Sequence, residues 1–557
     1  MGPCPSEGKG GGNGRKRRNG GRRSMEGSVE TRVEVAVSRG PAYTTGRSPM
    51  SKVSVLLRSL PSVSLLYLLA AAQGCGGRTV SIVVFHTNDI HGWVLERQGE
   101  GGRTLGGVAG VAALVGAERR PKLLVDAGDW LQGTPEGALD GGRAVVRLLS
   151  AAGYDAAIPG NHELGKGLGG LESLAREAAF PVLAANLREA SSGRPPPWLR
   201  RWVLKEVGGV RVGLFGLTTP RLGRLADPRR VRDLRVSDPF EEARLAVGEL
   251  RAQGAQVVVA LSHLGWEEDA PEGEAGDRAL ASRVAGIDLV IGGHTHTRLL
   301  PAWRDPNHGT LVVQAGRGLD RVGRVVLRVA RVSGKVLGTQ ADLLIPGPVL
   351  DTGETGDVLR EALRPLSEEA RRWEAGELGT SATPLTRLRW AESPLGDWAA
   401  DCLRSRAGTE VALVNSGSLR EDLPEGRLTR RHLFSVMPFD DVLVRLELTG
   451  RELLDVLEHG LSGPQGYLQV SGLRLRHRSV GSGRRVRRVL VGEAPLDPGR
   501  RYRIATGDYL ASGGEGYPHL GASRSRPTGE PVRAVLEACL RAQGEVPFPK
   551  LGRIEEE

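Results

Sequence analysis

Residues 85–93, FHTNDIHGW, set Asp89 and His91 two positions apart, directly behind the apolar run VSIVV of residues 80–84. A β-branched run that stops at a polar cluster predicts a buried strand handing its last side chains to a sheet edge. One acid and one histidine at a strand end fit a hydrogen-bonded turn as well as a pair of metal ligands, so the rest of the chain has to decide between them.

Working outward, short apolar runs alternate with helical stretches: TVSIVVFHTND, GGVAGVAALVGAERR, PKLLVDAGD, GRAVVRLLSAAG, YDAAIPGNHE, GLESLAREAA, then VRVGLFGLTT, PFEEARLAVGELRAQG, AQVVVALSHLG and IDLVIGGHTH. This alternation predicts an α/β domain with a layered sheet over residues 79–345. The Pro/Gly step IPGPVLDTGETGD and the charged segment VLREALRPLSEEARRWEA predict a helical linker over residues 346–376, polar enough to be solvated. Residues 377–550 resume the alternation as a second α/β domain, with no internal repeat between the halves.

The chain has 557 residues, which at roughly 150 residues per domain suggests two to four units. Of its formal charge of +11, residues 1–49 carry +6 and residues 50–74 another +2, leaving +3 for the remainder. The basicity is therefore mostly a tail, and nucleic acid is not an expected partner of the folded part. Residues 1–49 open with the Gly/Arg-rich stretch MGPCPSEGKGGGNGRKRRNGGRRS, which predicts disorder or a start codon set too early. Residues 50–78 read as a secretory signal, with a basic start, an apolar stretch from Val63 to Ala72 and small residues before Cys75. That stretch is too short for the ~20 residues a bilayer core requires. AAAQGC resembles a bacterial lipobox, so the expectation is a periplasmic or otherwise extracytoplasmic protein, either free or lipid-anchored through Cys75, with no other membrane contact. The remaining cysteines of the body, Cys402 and Cys539, make no disulfide framework and leave the redox compartment open.

The polar residues that follow strand-like runs are Asp89 and His91, Asp129 in VDAGDW, Asn161 and His162 in PGNHE, His263 in ALSHLG, and His294 and His296 in IGGHTH. Side chains at the carboxyl ends of the strands of an open α/β sheet converge in space. Five strand ends in one register turn the scales from turns to ligands. Carboxylate, amide and imidazole together suit Mn, Zn, Fe or Co, and six or seven ligands suit two ions sharing a carboxylate. Such a pair acidifies water and neutralises the attacking and leaving oxygens of an in-line displacement, which is phosphoester hydrolysis. His308, His432, His459 and His477 lie outside this register and read as surface or packing residues.

In order, D-x-H, G-D, G-N-H-E, a later histidine and G-G-H-x-H resemble the calcineurin-like metallophosphoesterases. ESPLGDWAADCLRSRAG, ALVNSGSLREDLPEG, MPFDDVLVRLELTGRELLDVLE and ATGDYLASGGEGYP are similar to the carboxy-terminal domain of 5′-nucleotidases and bacterial UDP-sugar hydrolases. The resemblance covers about residues 80–545. It implies a four-layered α/β/β/α domain followed by a substrate-binding domain, with the active site between them and closure through a domain rotation. It places Asp89, His91, Asp129 and His296 on one ion and Asp129, Asn161, His263 and His294 on the other. His162, beside Asn161, would face the scissile phosphate. Asn415 and Arg420 would take substrate phosphate, Phe439 and Tyr509 would sandwich a base, and Glu515 stands where an aspartate is usual. Two further departures matter: Gly165 stands where an aspartate often orients the histidine, and Asp441 where asparagine is frequent. The expected activity is removal of phosphate from nucleotides, with UDP-sugar hydrolysis as a variant. The alternatives are a 2′,3′-cyclic nucleotide phosphodiesterase, a related sulfur-ester hydrolase, or a catalytically quiet surface lipoprotein that binds metal. Oligomeric state is not legible.

Overall fold

Strand β1 (Thr79–Thr87) carries two cores at once: Val83 and Phe85 enter one, Ile82 and Val84 another. Period-two alternation of apolar residues on both faces is why the run reads as continuously hydrophobic. The computed structural model describes residues 79–266, 276–348, 353–462, 466–480, 483–520 and 526–557. The basic tail, the stretch expected to be a secretory signal and Cys75 lie outside the described residues.

β1, β2 (Lys122–Asp126) and β3 (Ala156–Ala157) run parallel. The chain then builds a second sheet from β4 (Trp202–Val207), β5 (Val210–Leu217), β6 (Val257–Ser262), β7 (Leu289–Gly292), β8 (Trp303–Arg304) and β9 (Leu311–Val313), ordered β8-β9-β7-β6-β5-β4. β10 (Val322–Ala330) and β11 (Val336–Leu344) return to the first sheet, giving it the order β11-β10-β1-β2-β3. Val257, Val259 and Leu261 of β6 face the first sheet, while Val258 and Ala260 face outward. Helices α1 (Gly107–Ala117), α2 (Arg143–Ala151) and α3 (Gly167–Glu177) cover the outside of the first sheet. Helices α4 (Pro239–Ala252) and α5 (Asp277–Arg283) cover the second. Four layers α/β/β/α result, as the resemblance implied.

Helix α6 (Gly353–Ala375) is not the solvated connector its charge suggested. Leu359 and Leu366 are each only 2 % exposed and join the core of the first sheet's outer face. Their spacing of seven puts both on one stripe of the helix, and the charges occupy the remainder.

In the second half, α7 (Pro394–Ala407) begins with Ser393 accepting from the Gly396 N–H and Pro394 in its first turn, and ends at Gly408 in the left-handed region. It packs on a sheet ordered β14-β12-β15-β13-β16, formed by β12 (Val411–Asn415), β13 (Val442–Thr449), β14 (Leu468–Ser471), β15 (Arg501–Gly507) and β16 (Arg526–Pro531). Against α7 lies α8 (Val532–Gln543), and Cys402 of α7 is bonded to Cys539 of α8, with Cα atoms 5.8 Å apart. The two body cysteines thus form a cross-link that the sequence reading did not assign. No helix among the described residues is long and apolar enough to cross a membrane.

The bond joins residues 137 positions apart, so it restricts the unfolded chain strongly. Replacing both cysteines by serine is expected to cost about 2–5 kcal/mol of unfolding free energy, read from urea midpoints. An unchanged midpoint would contradict a stabilising role.

Candidate active site

Each expected ligand sits just past a strand. Asp89 and His91 follow β1, Asp129 follows β2, Asn161 opens a single helical turn after β3, His263 follows β6, and His294 and His296 follow β7. The turns after β1 and β2 are laced together by backbone hydrogen bonds from Asp89 N to Gly128 O (2.8 Å), His91 N to Asp129 O (2.9 Å) and Gly92 N to Trp130 O (2.8 Å). Gly160 allows the third turn to close on them, since a Cβ there would stand 2.2 Å from Asp129 Oδ1.

Asp129 Oδ2 is the focus. It lies 3.2 Å from His263 Nε2, 3.8 Å from His91 Nε2 and 3.8 Å from His162 Nε2. His296 Nε2 is 2.9 Å from His91 Nε2 and 3.5 Å from Asp89 Oδ1. Three overlapping groups, Asp89–His91–His296, His91–Asp129–His162 and Asp129–His263–His294, each hold their donor atoms within 4.8 Å. Asn161 Oδ1 and His263 Nε2 are buried with no hydrogen-bond partner. Orphaned buried donors and acceptors are costly, and divalent cations among them would remove that cost, so the residues present fit such ions.

Supporting contacts aim the donors. His263 Nδ1 meets Ala127 O at 2.7 Å and His91 Nδ1 meets Gln132 O at 3.2 Å, so Nε2 of both rings is turned to the centre. Asp89 accepts from His294 N through both oxygens at 3.0 Å and from Asn88 Nδ2 at 2.6 Å. Glu163 accepts from the N–H groups of Asp129 (3.0 Å), Leu131 (3.0 Å) and Gly160 (2.8 Å), fixing the turn that carries Asp129. Burial pushes the Asp89 carboxyl up to about 7. Burial would do the same to Asp129, but the imidazoles of His263 and His162 outweigh it and hold that carboxyl well below its usual range.

The second half closes the same cavity. Asn415, Arg420, Phe439, Tyr509 and Glu515 all line it together with Asp129, Asn161, His162, His294 and His296. Phe439 stacks on His162 with centroids 5.8 Å apart and planes 20° from parallel. Tyr509 lays its ring against Gly514, where a Cβ would come within 2.5 Å of it. Asn415 Nδ2 donates to Glu515 Oε1 at 2.6 Å, and burial pushes that carboxyl up to about 7. Asp441, on the same wall, is likewise pushed up to about 7 by burial and by Asp508 beside it. Burial, with Arg387, Arg317 and Arg389 nearby, pushes Arg420 down to about 10. Ion pairs bind the halves together: Arg431 to Glu136 (2.6 Å), Arg229 to Asp508 (2.5 Å) and Arg317 to Glu421 (2.7 Å).

The sequence reading missed Arg221, Arg317, Arg387 and Arg389, which join Arg420 around the cavity. It also missed Glu163 and Gln132. The glutamine's Oε1 lies 2.5 Å from His162 Nδ1. Arg387 and Arg389 lie just ahead of the quoted ESPLGDW motif and were within reach of a wider reading. An uncharged residue 30 positions from its histidine gave no signal.

Comparison with known proteins follows this division. Residues 82–298 match the calcineurin-like phosphoesterase family model, and residues 374–522 the model of the 5′-nucleotidase C-terminal domain. A snake venom 5′-nucleotidase of Crotalus adamanteus is 29 % identical over 88 % of this chain and 92 % of its own. The UshA protein of Escherichia coli is 26 % identical over 80 % and 87 %. The crystal structure of a 5′-nucleotidase precursor from Thermus thermophilus superposes with a TM-score of 0.76 at 30 % identity, covering 86 % of this chain and 99 % of that one. Both halves match in order along one chain, and a relative at 30 % identity is spanned almost end to end: the protein belongs to the 5′-nucleotidase family and is a phosphoric ester hydrolase.

Proposed function

We propose that this chain removes phosphate from nucleoside monophosphates with two divalent ions, of Mn, Zn, Fe or Co, held by Asp89, His91, Asp129 and His296 on one side and Asp129, Asn161, His263 and His294 on the other. The observation that carries the reading is a single cavity in which these donors, a wall of arginines and two aromatic rings meet. Bound ions would acidify water and neutralise charge on the phosphoryl oxygens.

The chain's own residues supply the remainder. Arg420, with Arg387 and Arg389, neutralises and orients the phosphate through charge-assisted hydrogen bonds. Phe439 and Tyr509 give a base two π faces, which hold it with little regard to its identity. Glu515 and Asn415, already bonded to each other, offer polar atoms to the sugar. His162 Nε2 faces the centre; burial lowers this ring to about 4, and a bound anionic phosphate would favour the protonated form that gives a proton to the departing oxygen. A UDP-sugar would meet the same groups, and so would a 2′,3′-cyclic nucleotide or a sulfur ester. We place the protein outside the cytoplasm, free or lipid-anchored, because a Cys402–Cys539 disulfide suits an oxidising compartment and residues 50–78 read as a secretory leader.

Phosphate release from AMP, UDP-glucose and 2′,3′-cyclic AMP ranks the substrates. Removal of divalent ions by chelation is expected to abolish turnover, and Mn or Zn to restore it. His162→Ala is expected to lower kcat about 10²–10⁴-fold with little change in KM, and Asp129→Ala at least as much. Full activity in chelator, or in either variant, contradicts the reading.

Phe439→Ala separates base stacking from chemistry. The loss of a stacked base costs about 1–3 kcal/mol, so kcat/KM for AMP should fall about 5–150-fold, while glycerol phosphate, which has no base, is hydrolysed as by the parent. Equal losses on both would remove Phe439 from the base site.

A further inference from the structure

His162 is held by a residue that no motif announces. Its Nδ1 lies 2.5 Å from Gln132 Oε1, and the backbone oxygen of the same glutamine lies 3.2 Å from His91 Nδ1. Both contacts are to oxygens that can only accept, so both require the hydrogen on Nδ1 and leave Nε2 of each ring for the centre. Gln132 adopts φ +60°, a conformation that residues with side chains rarely take. In that conformation its two oxygens serve two rings at once.

The acid expected for His162 is absent. Position 165 is glycine, its N–H spent on Asn161 O at 2.8 Å, and among the described residues no carboxylate contacts His162 Nδ1. We propose that Gln132 is the positioning residue of His162, a neutral amide taking the place that the family resemblance gives to a carboxylate at 165. The inference rests on the role given to His162 above. In that reaction the P–O bond breaks with its electron pair passing to the nucleoside oxygen. This oxygen takes the proton from Nε2 of the doubly protonated ring, water supplies the new oxygen on phosphorus, and the proton that water gives up passes to solvent. The Nδ1 hydrogen stays on the Gln132 amide throughout, so the ring finishes neutral in the tautomer that the contact favours. Any substitution at 132 keeps the main-chain oxygen that meets His91, so the two functions of the residue can be separated.

The test compares the full-length, zinc-loaded protein with Gln132→Leu, which fills similar space without an acceptor, and Gln132→Glu, which restores one. Gln132→Leu is expected to lose about 10–100-fold in kcat on AMP at unchanged KM and metal content. It should lose far less on p-nitrophenyl phosphate, whose leaving group departs without a proton. Gln132→Glu should recover most of the loss. In 15N-histidine-labelled protein, with His162 assigned by His162→Ala, Nδ1 should be protonated in the parent and in Gln132→Glu, and should lose that preference in Gln132→Leu. If Gln132→Leu does not fold, Gln132→Asn, whose shorter amide falls short of Nδ1, takes its place. The proposal is overturned by an unchanged tautomer in the variant, by parental turnover of AMP, or by equal losses on the two substrates. The tautomer is read whichever phosphoester turns over, so a wrong substrate assignment and a wrong role for Gln132 give different results.

Discussion

A carboxylate buried to 2 % exposure needs compensating partners close by, and Asp129 has three imidazole rings within 4 Å of one oxygen, of which His263 is the one that, against its own burial, Asp129 and Asp89 push up to about 10. Burying a carboxylate without such partners would cost several kcal/mol. The placement of that one group is what the first half is organised around: Glu163 grips its turn, Gly160 yields space to it, and the backbone bonds to the turn after β1 bring Asp89 and His91 alongside.

The arrangement is strained as well as charged. Asp89, His91, Asp129, Gln132, His294 and His296 all have φ between +49° and +75°. Left-handed residues other than glycine cost of order 1–3 kcal/mol each and persist only where their surroundings over-determine them. Here the surroundings are two mixed sheets, parallel at the strands that carry these turns, with apolar cores on both faces of each. The rigid layers hold turns that would relax in isolation, and the turns present donors at spacings that suit cations better than one another.

The sequence made much of this legible, and the failures have physical reasons. Asp89, Asp129, Asn161, His263 and His294 could be found because short apolar runs stop just ahead of them and parallel strands share a carboxyl edge. That the two sheets stack face to face came from the resemblance, since alternation along β1 shows two buried faces without showing what covers each. α6 was misjudged because its charges outnumber its apolar residues, although Leu359 and Leu366 are enough to dock it. The Cys402–Cys539 bond was invisible because helices 137 residues apart meet only in the folded chain. Arg317 and Gln132 sit on turns whose direction depends on backbone angles that composition does not report.

The donor cluster and the wall that carries Phe439, Tyr509 and Arg420 belong to different halves, and Phe439 on His162 and Arg317 paired with Glu421 are among the contacts by which the halves meet. All of this presupposes that the donors around Asp129 hold two ions. The most direct measurement is anomalous diffraction from crystals of the manganese-loaded protein. The account predicts two peaks about 3.5–4 Å apart, on either side of Asp129 Oδ2, one beside His91 and His296 and the other beside His263 and His294. A single peak, or none within reach of Asp129, would contradict it.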